Sequence, residues 1–116
     1  MQLDAQTRHY RSVHPTAAHS VITVGGEPAG RLIVDRSDRE IRIVELALLP
    51  PFRRAGVGSE LVRPLLEEAD AAGLPVRCHV EQSNDARRFW ERLGLVAVGL
   101  DGAHMAMERA CVTSTR

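Results

Sequence analysis

The chain has 116 residues, 44% of them hydrophobic and 26% charged, enough for one globular domain with a core that needs no metal or disulfide staples. Fifteen basic residues, all arginine, balance fifteen acidic ones, so no global field favours nucleic acid or an anionic membrane as a partner. No apolar run approaches the roughly 18 residues of a membrane span, and Met1-Gln2-Leu3-Asp4 lacks the layout of a signal peptide, so the expected compartment is the cytoplasm.

In chain order, Leu3, Thr7, Tyr10 and Val13 recur at helical spacing and predict a short helix over 2–13, ending before Pro15. Strands are expected over 19–24, 29–35 and 41–49, separated by the turns Gly25-Gly26-Glu27-Pro28 and Ser37-Asp38-Arg39-Glu40, which makes an antiparallel meander. An amphipathic helix follows over 57–72, with Val57, Leu61, Leu65 and Ala69 on one face, Gly73 as its C-terminal stop and a kink expected at Pro64. A strand at 76–80 precedes a second helix that opens at Ser83-Asn84-Asp85, buries Ala86, Phe89, Trp90 and Leu93, and stops at Gly94. Strands at 95–100 and 103–108, joined across Asp101-Gly102, complete the pattern.

The expected fold is α/β of the α+β kind: a mixed, largely antiparallel sheet with packed helices and a central parallel crossover over 41–81. It forms a single domain, 1–116, with a residual N-terminal helix within 1–16 and a flexible tail over 110–116. Cys78 lies in a strand pattern and Cys111 in the tail, which favours two unpaired thiols. The five histidines show no metal-ligand spacing, so no metal is expected.

The densest signal is Leu46-Ala47-Leu48-Leu49-Pro50-Pro51-Phe52-Arg53-Arg54-Ala55-Gly56-Val57-Gly58, which runs from a strand through a proline break into a helix. A helix N-terminus leaves unpartnered N–H groups at the positive end of its dipole, so it suits an anion. Gly56 and Gly58 admit close approach or positive φ, and Arg53 and Arg54 bring forks that match phosphate oxygens. Neither a Walker loop nor a complete dinucleotide fingerprint is present. By itself the motif reads equally well as a glycine turn carrying solvated arginines.

With Asn84-Asp85-Ala86-Arg87-Arg88-Phe89-Trp90-Glu91-Arg92-Leu93-Gly94-Leu95 downstream, the chain resembles the GNAT superfamily of acyl-CoA-dependent N-acetyltransferases over roughly residues 19–109. The resemblance implies that the strand before the loop ends at a bulge and splays from the next parallel strand. It implies that backbone groups of Leu46 and Leu48 meet the pantetheine arm of acetyl-CoA. Arg53, Arg54, Ala55, Gly56, Val57, Gly58 and Ser59 would line the pyrophosphate, and Asn84 would approach from across the gap. The implied chemistry is direct attack of an amine acceptor on the acetyl thioester.

Two departures stand out. Trp90 occupies the place of the family's usual tyrosine and is expected in the core or beside the cofactor arm; its N–H donates but is no acid near neutral pH. The start is short, with at most the last of the family's opening elements (a strand and two helices), and this leaves room for a homodimer. For acid–base work Glu45 and His79 are the candidates, against an arginine-paired strand glutamate and a solvated strand histidine. Three functions follow: an acetyl-CoA-dependent N-acetyltransferase, which the residues favour; a non-catalytic acyl-CoA-binding or regulatory module; and a nucleic-acid module, which the zero net charge and scarce aromatics oppose.

Overall fold

The computed structural model describes residues 3–9, 17–53, 56–81 and 86–112. Seven strands form one sheet in the order β1-β2-β3-β4-β5-β7-β6. They are β1 (Leu3–His9), β2 (Ala17–Val24), β3 (Glu27–Arg36), β4 (Ile41–Leu48), β5 (Val76–Glu81), β6 (Val96–Asp101) and β7 (His104–Arg109). The helices are α1 (Val57–Ala72) and α2 (Ala86–Arg92). All neighbours are antiparallel except β4 and β5, which are joined through α1 and pair in parallel.

The expected N-terminal helix is corrected. Leu3–His9 is a strand whose residues partner Val24 back to Ala18 one by one. The sequence carries the cause: Leu3, Ala5 and Thr7 alternate with Asp4, Gln6 and Arg8, a period of two that pairs with an exposed sheet edge. Residues 10–13 of that expected helix lie outside the described residues. The start of the chain thus supplies a strand, where at most a last helix is expected.

Both helices share one face of the sheet, since the Phe89 ring of α2 lies against Gly58 of α1. Ile22, Leu32, Val34, Ile41, Ile43, Val76, Cys78 and Met107 from the sheet join Val57, Val62, Leu65, Leu66 and Ala69 of α1, with Trp90 and Leu95, in a single buried cluster. Removing this apolar area from water is the main favourable term in folding. α1 ends as expected at Gly73, whose left-handed backbone (φ 72°) lets Leu74 N–H reach Ala69 O at 2.8 Å. It runs unbroken through Pro64, which lies on the exposed side, where water can take the carbonyl that proline leaves without a donor.

The tail expected to be flexible is partly tied down. Asp70 of α1 takes two hydrogen bonds from Arg109, at 2.9 and 3.1 Å, and a third from Val112 N–H at 2.8 Å. Residues 113–116 lie outside the described residues.

Candidate functional site

The site grows from a fault in β4. Ile33 of β3 partners Glu45 while the next residue, Val34, partners Ile43, so Val44 is an extra residue in β4, a bulge. Without it, the alternation that sends Ile41 and Ile43 into the core would send Glu45 after them. The bulge resets the phase, so Leu46 and Leu48 pack against the core and Glu45 turns to the other face. Glu45 is there ion-paired with Arg31 of β3.

At the same level β4 leaves β5. Their parallel pairing consists of Ile41 with Val76 and Arg42 with Arg77, and nothing beyond. Leu49 N–H donates to Ala29 O at 2.7 Å, so Leu49 turns its backbone toward β3. By strand alternation the backbones of Leu48 and Leu46 then face the gap, where no strand meets them. These are the two residues that the resemblance singled out.

A clamp holds the closed end of the splay. Glu40 accepts from Arg42 Nε at 2.7 Å and Arg77 Nη1 at 2.9 Å, and Arg77 Nε reaches Glu108 at 2.7 Å. Burial pushes the Glu40 carboxyl up, but Arg42 and Arg77 together hold it below the usual range. Just above lies an open cavity of about 350 Å³ lined by Arg42, Ile43, Val44 and His79.

His79 sits on that cavity wall in a defined state. Arg42 Nη1 lies 3.1 Å from His79 Nδ1. A guanidinium only donates, so Nδ1 accepts and the ring proton stays on Nε2, which lies 3.9 Å from Asp101 Oδ2. Held this way, the imidazole has no lone pair left for a base. The thiol of Cys78 is inert as well, since burial pushes its pKa up to about 12.

At the far end of β4 a short 3₁₀ turn, Pro50–Phe52, leads to the helix. Gly56 is the N-cap of α1 with a left-handed backbone (φ 80°, ψ −2°), and among the described residues no side chain caps the first turn. A side chain at Gly56 would meet open space, so its left-handed backbone is what calls for glycine. Gly58 serves differently: a Cβ there would lie 3.0 Å from the Phe89 ring and 3.8 Å from Leu46. That glycine seats α1 on α2 and β4. Val57 and Gly58 are buried and Ser59 half-buried.

Arg53 folds back, its Nε donating to Leu48 O at 2.9 Å, so one of the two gap-facing carbonyls is occupied. Trp90 is only 5% exposed and meets Phe89 edge-to-face at 4.9 Å, which makes it a core residue. Arg54, Ala55 and Asn84 lie outside the described residues. Sequence reasoning missed Arg42 and Glu40, which orient His79; their signal was the alternation of charge at the starts of β4 and β5. Among the described residues no group of three or more His, Cys, Asp or Glu could hold a metal ion, and no helix is long and apolar enough to cross a membrane.

Residues 2–95 match the model of the Acetyltransferase (GNAT) family. The chain is 38% identical over 81 residues to mycothiol acetyltransferase of Saccharopolyspora erythraea, an overlap of 66% of this chain and 26% of that protein. It spans about a quarter of the length of the curated relatives it matches. Ard1 from Thermoplasma volcanium superposes with a TM-score of 0.69 at 31% identity, over 81% of this chain and 70% of that one. A GNAT family acetyltransferase from Elizabethkingia anophelis with acetyl-CoA bound, 8% identical, shares the fold at a TM-score of 0.72 over 93% and 97% of the two chains.

Proposed function

This chain belongs to the GNAT family of acetyltransferases, and on that premise we propose that it transfers an acetyl group from acetyl-CoA to a primary amine by direct attack on the thioester. The observation that carries the proposal is the alignment of an α1 first turn that no described side chain caps with the splay where the backbones of Leu46 and Leu48 lack a strand partner. The amides of Val57, Gly58 and Ser59 and the guanidinium groups of Arg53 and Arg54 would hold the pyrophosphate, with Ala55 and Gly56 shaping the approach. The pantetheine arm would add to the gap side of β4, displacing Arg53 from Leu48 O, with Asn84 opposite. Backbone N–H at Leu46 would polarise the carbonyl, and the developing oxyanion would be stabilised without reorganisation of the site.

One observation favours a second reading, a module that binds acyl-CoA without turnover. Neither acid–base candidate stands free: Glu45 is engaged by Arg31, and Nδ1 of His79 by Arg42. In the transfer reading the amine then loses its proton to solvent or to a Glu45 released from Arg31 on acceptor binding. The two readings separate in one assay, thiol release from acetyl-CoA across a panel of primary amines. Transfer predicts protein-dependent release that saturates in at least one amine; release no faster than the uncatalysed background with every amine would leave only the binding module.

A further inference from the structure

One of the protein's own side chains already sits where the pantetheine arm would bind. Arg53 Nε donates to Leu48 O at 2.9 Å, on the gap side of β4. That carbonyl has little freedom to turn away. Leu48 C=O and Leu49 N–H belong to one planar trans peptide unit and point in opposite directions. The N–H is anchored on Ala29 O at 2.7 Å, so the carbonyl is held toward the gap. β3 also runs close behind: a Cβ on Gly30 would collide with Ala47 O and stand 2.9 Å from Leu48 Cα. Of the two partners, Arg53 is therefore the one that can move. It is exposed, and among the described residues no carboxylate pairs with it, whereas Arg31 and Arg42 beside the same strand are committed to Glu45 and Glu40. Its charge is answered by a single neutral carbonyl.

We infer that Arg53 latches the pantetheine slot until the donor's diphosphate draws it away, which makes Arg53 a determinant of donor choice: thioesters of coenzyme A are favoured over those of free pantetheine. The inference rests on the acetyl-CoA site proposed above and needs only that site, whether or not transfer follows. A pantetheine amide that pairs with Leu48 O must first break the Arg53 hydrogen bond. The bare arm gives the guanidinium nothing in return, so its affinity is reduced by the fraction of molecules in which the latch is open. A diphosphate at the first turn of α1 offers Arg53 ionised oxygens, a stronger partner than a neutral carbonyl. Binding of the head then favours the open latch, and the open latch favours binding of the arm.

Calorimetry with coenzyme A and an NMR titration with pantetheine read the two ligands separately. Arg53→Ala should bind pantetheine about three- to tenfold more tightly than the native chain, the worth of one hydrogen bond, and coenzyme A at least about threefold more weakly. Arg53→Gln, whose side-chain amide sets an N–H donor where Arg53 carries Nε, should keep the native affinity for pantetheine and share the loss for coenzyme A. Unfolding transitions check that both variants are folded. A residue that only binds phosphate would leave pantetheine unmoved in Arg53→Ala, and one that only staples the Pro50–Phe52 turn would weaken both ligands. Either result, or a Gln variant that gains as much for pantetheine as the Ala variant, would overturn the inference. A native chain that fails to bind coenzyme A removes the donor site and the latch together, whereas coenzyme A binding with no pantetheine gain in Arg53→Ala removes the latch alone.

Discussion

Two glycines in one short motif do different work, and the difference is measurable. At Gly56 the left-handed backbone disfavours other residues although space is open; at Gly58 the backbone is helical and the Phe89 ring fills the space. The Phe89 ring also meets Trp90 edge-to-face at 4.9 Å, so an added methyl group would press on a ring that is already packed. Gly58→Ala should therefore destabilise the fold by about 1–3 kcal/mol, read as a lower midpoint of thermal or urea unfolding. An unchanged midpoint would mean that α1 is not seated on α2 as described. In the sequence both glycines read as room for a phosphate, because spacing reveals the absence of a side chain but not the neighbour that demands it. The same holds for Trp90: an indole beside a cofactor and an indole in the core are identical until Phe89 and the buried cluster are seen around it.

The elements were legible where one period dominated. α1 begins and ends where its i, i+4 face and Gly73 predict, and β2 to β7 fall within a few residues of the alternating runs. Leu3–His9 failed because Leu3 and Thr7 satisfy a helical spacing while the full alternation satisfies a strand, and the partner strand decides between them. The bulge at Val44, which the resemblance implied, is marked in the residues only by the change of apolar phase from Ile41 and Ile43 to Leu46 and Leu48, and it turns Glu45 outward beside the gap. The joint between α1, β7 and the segment after β7 was also hidden, because its partners are far apart in the chain. Hydrogen bonds from Arg109 and then from Val112 N–H hold the Asp70 carboxyl below its usual value of 3.8. A carboxyl depressed in the folded state contributes stability that is fully present above its unfolded pKa and is lost as pH falls through the folded one. Native protein should thus lose unfolding free energy between about pH 5 and pH 2 more steeply than Asp70→Asn, which has no such proton to bind; parallel pH profiles in urea titrations would contradict the joint.

At the scale of the molecule, one face of the sheet is covered by both helices and the core, while the other carries the ion pairs Arg31–Glu45, Arg42–Glu40 and Arg77–Glu108. The gap between β4 and β5 connects the two faces, so a cofactor held at α1 and an acceptor arriving over the charged face would meet at the bulge. That arrangement depends on the first turn of α1 holding a diphosphate, and calorimetry with acetyl-CoA tests it most directly. The native chain should bind saturably, and Gly56→Glu, which sets a carboxylate at the positive end of the helix, should bind at least about tenfold more weakly while its unfolding transition shows that it remains folded. No saturable heat from the native chain, or undiminished affinity in the folded variant, would contradict the account.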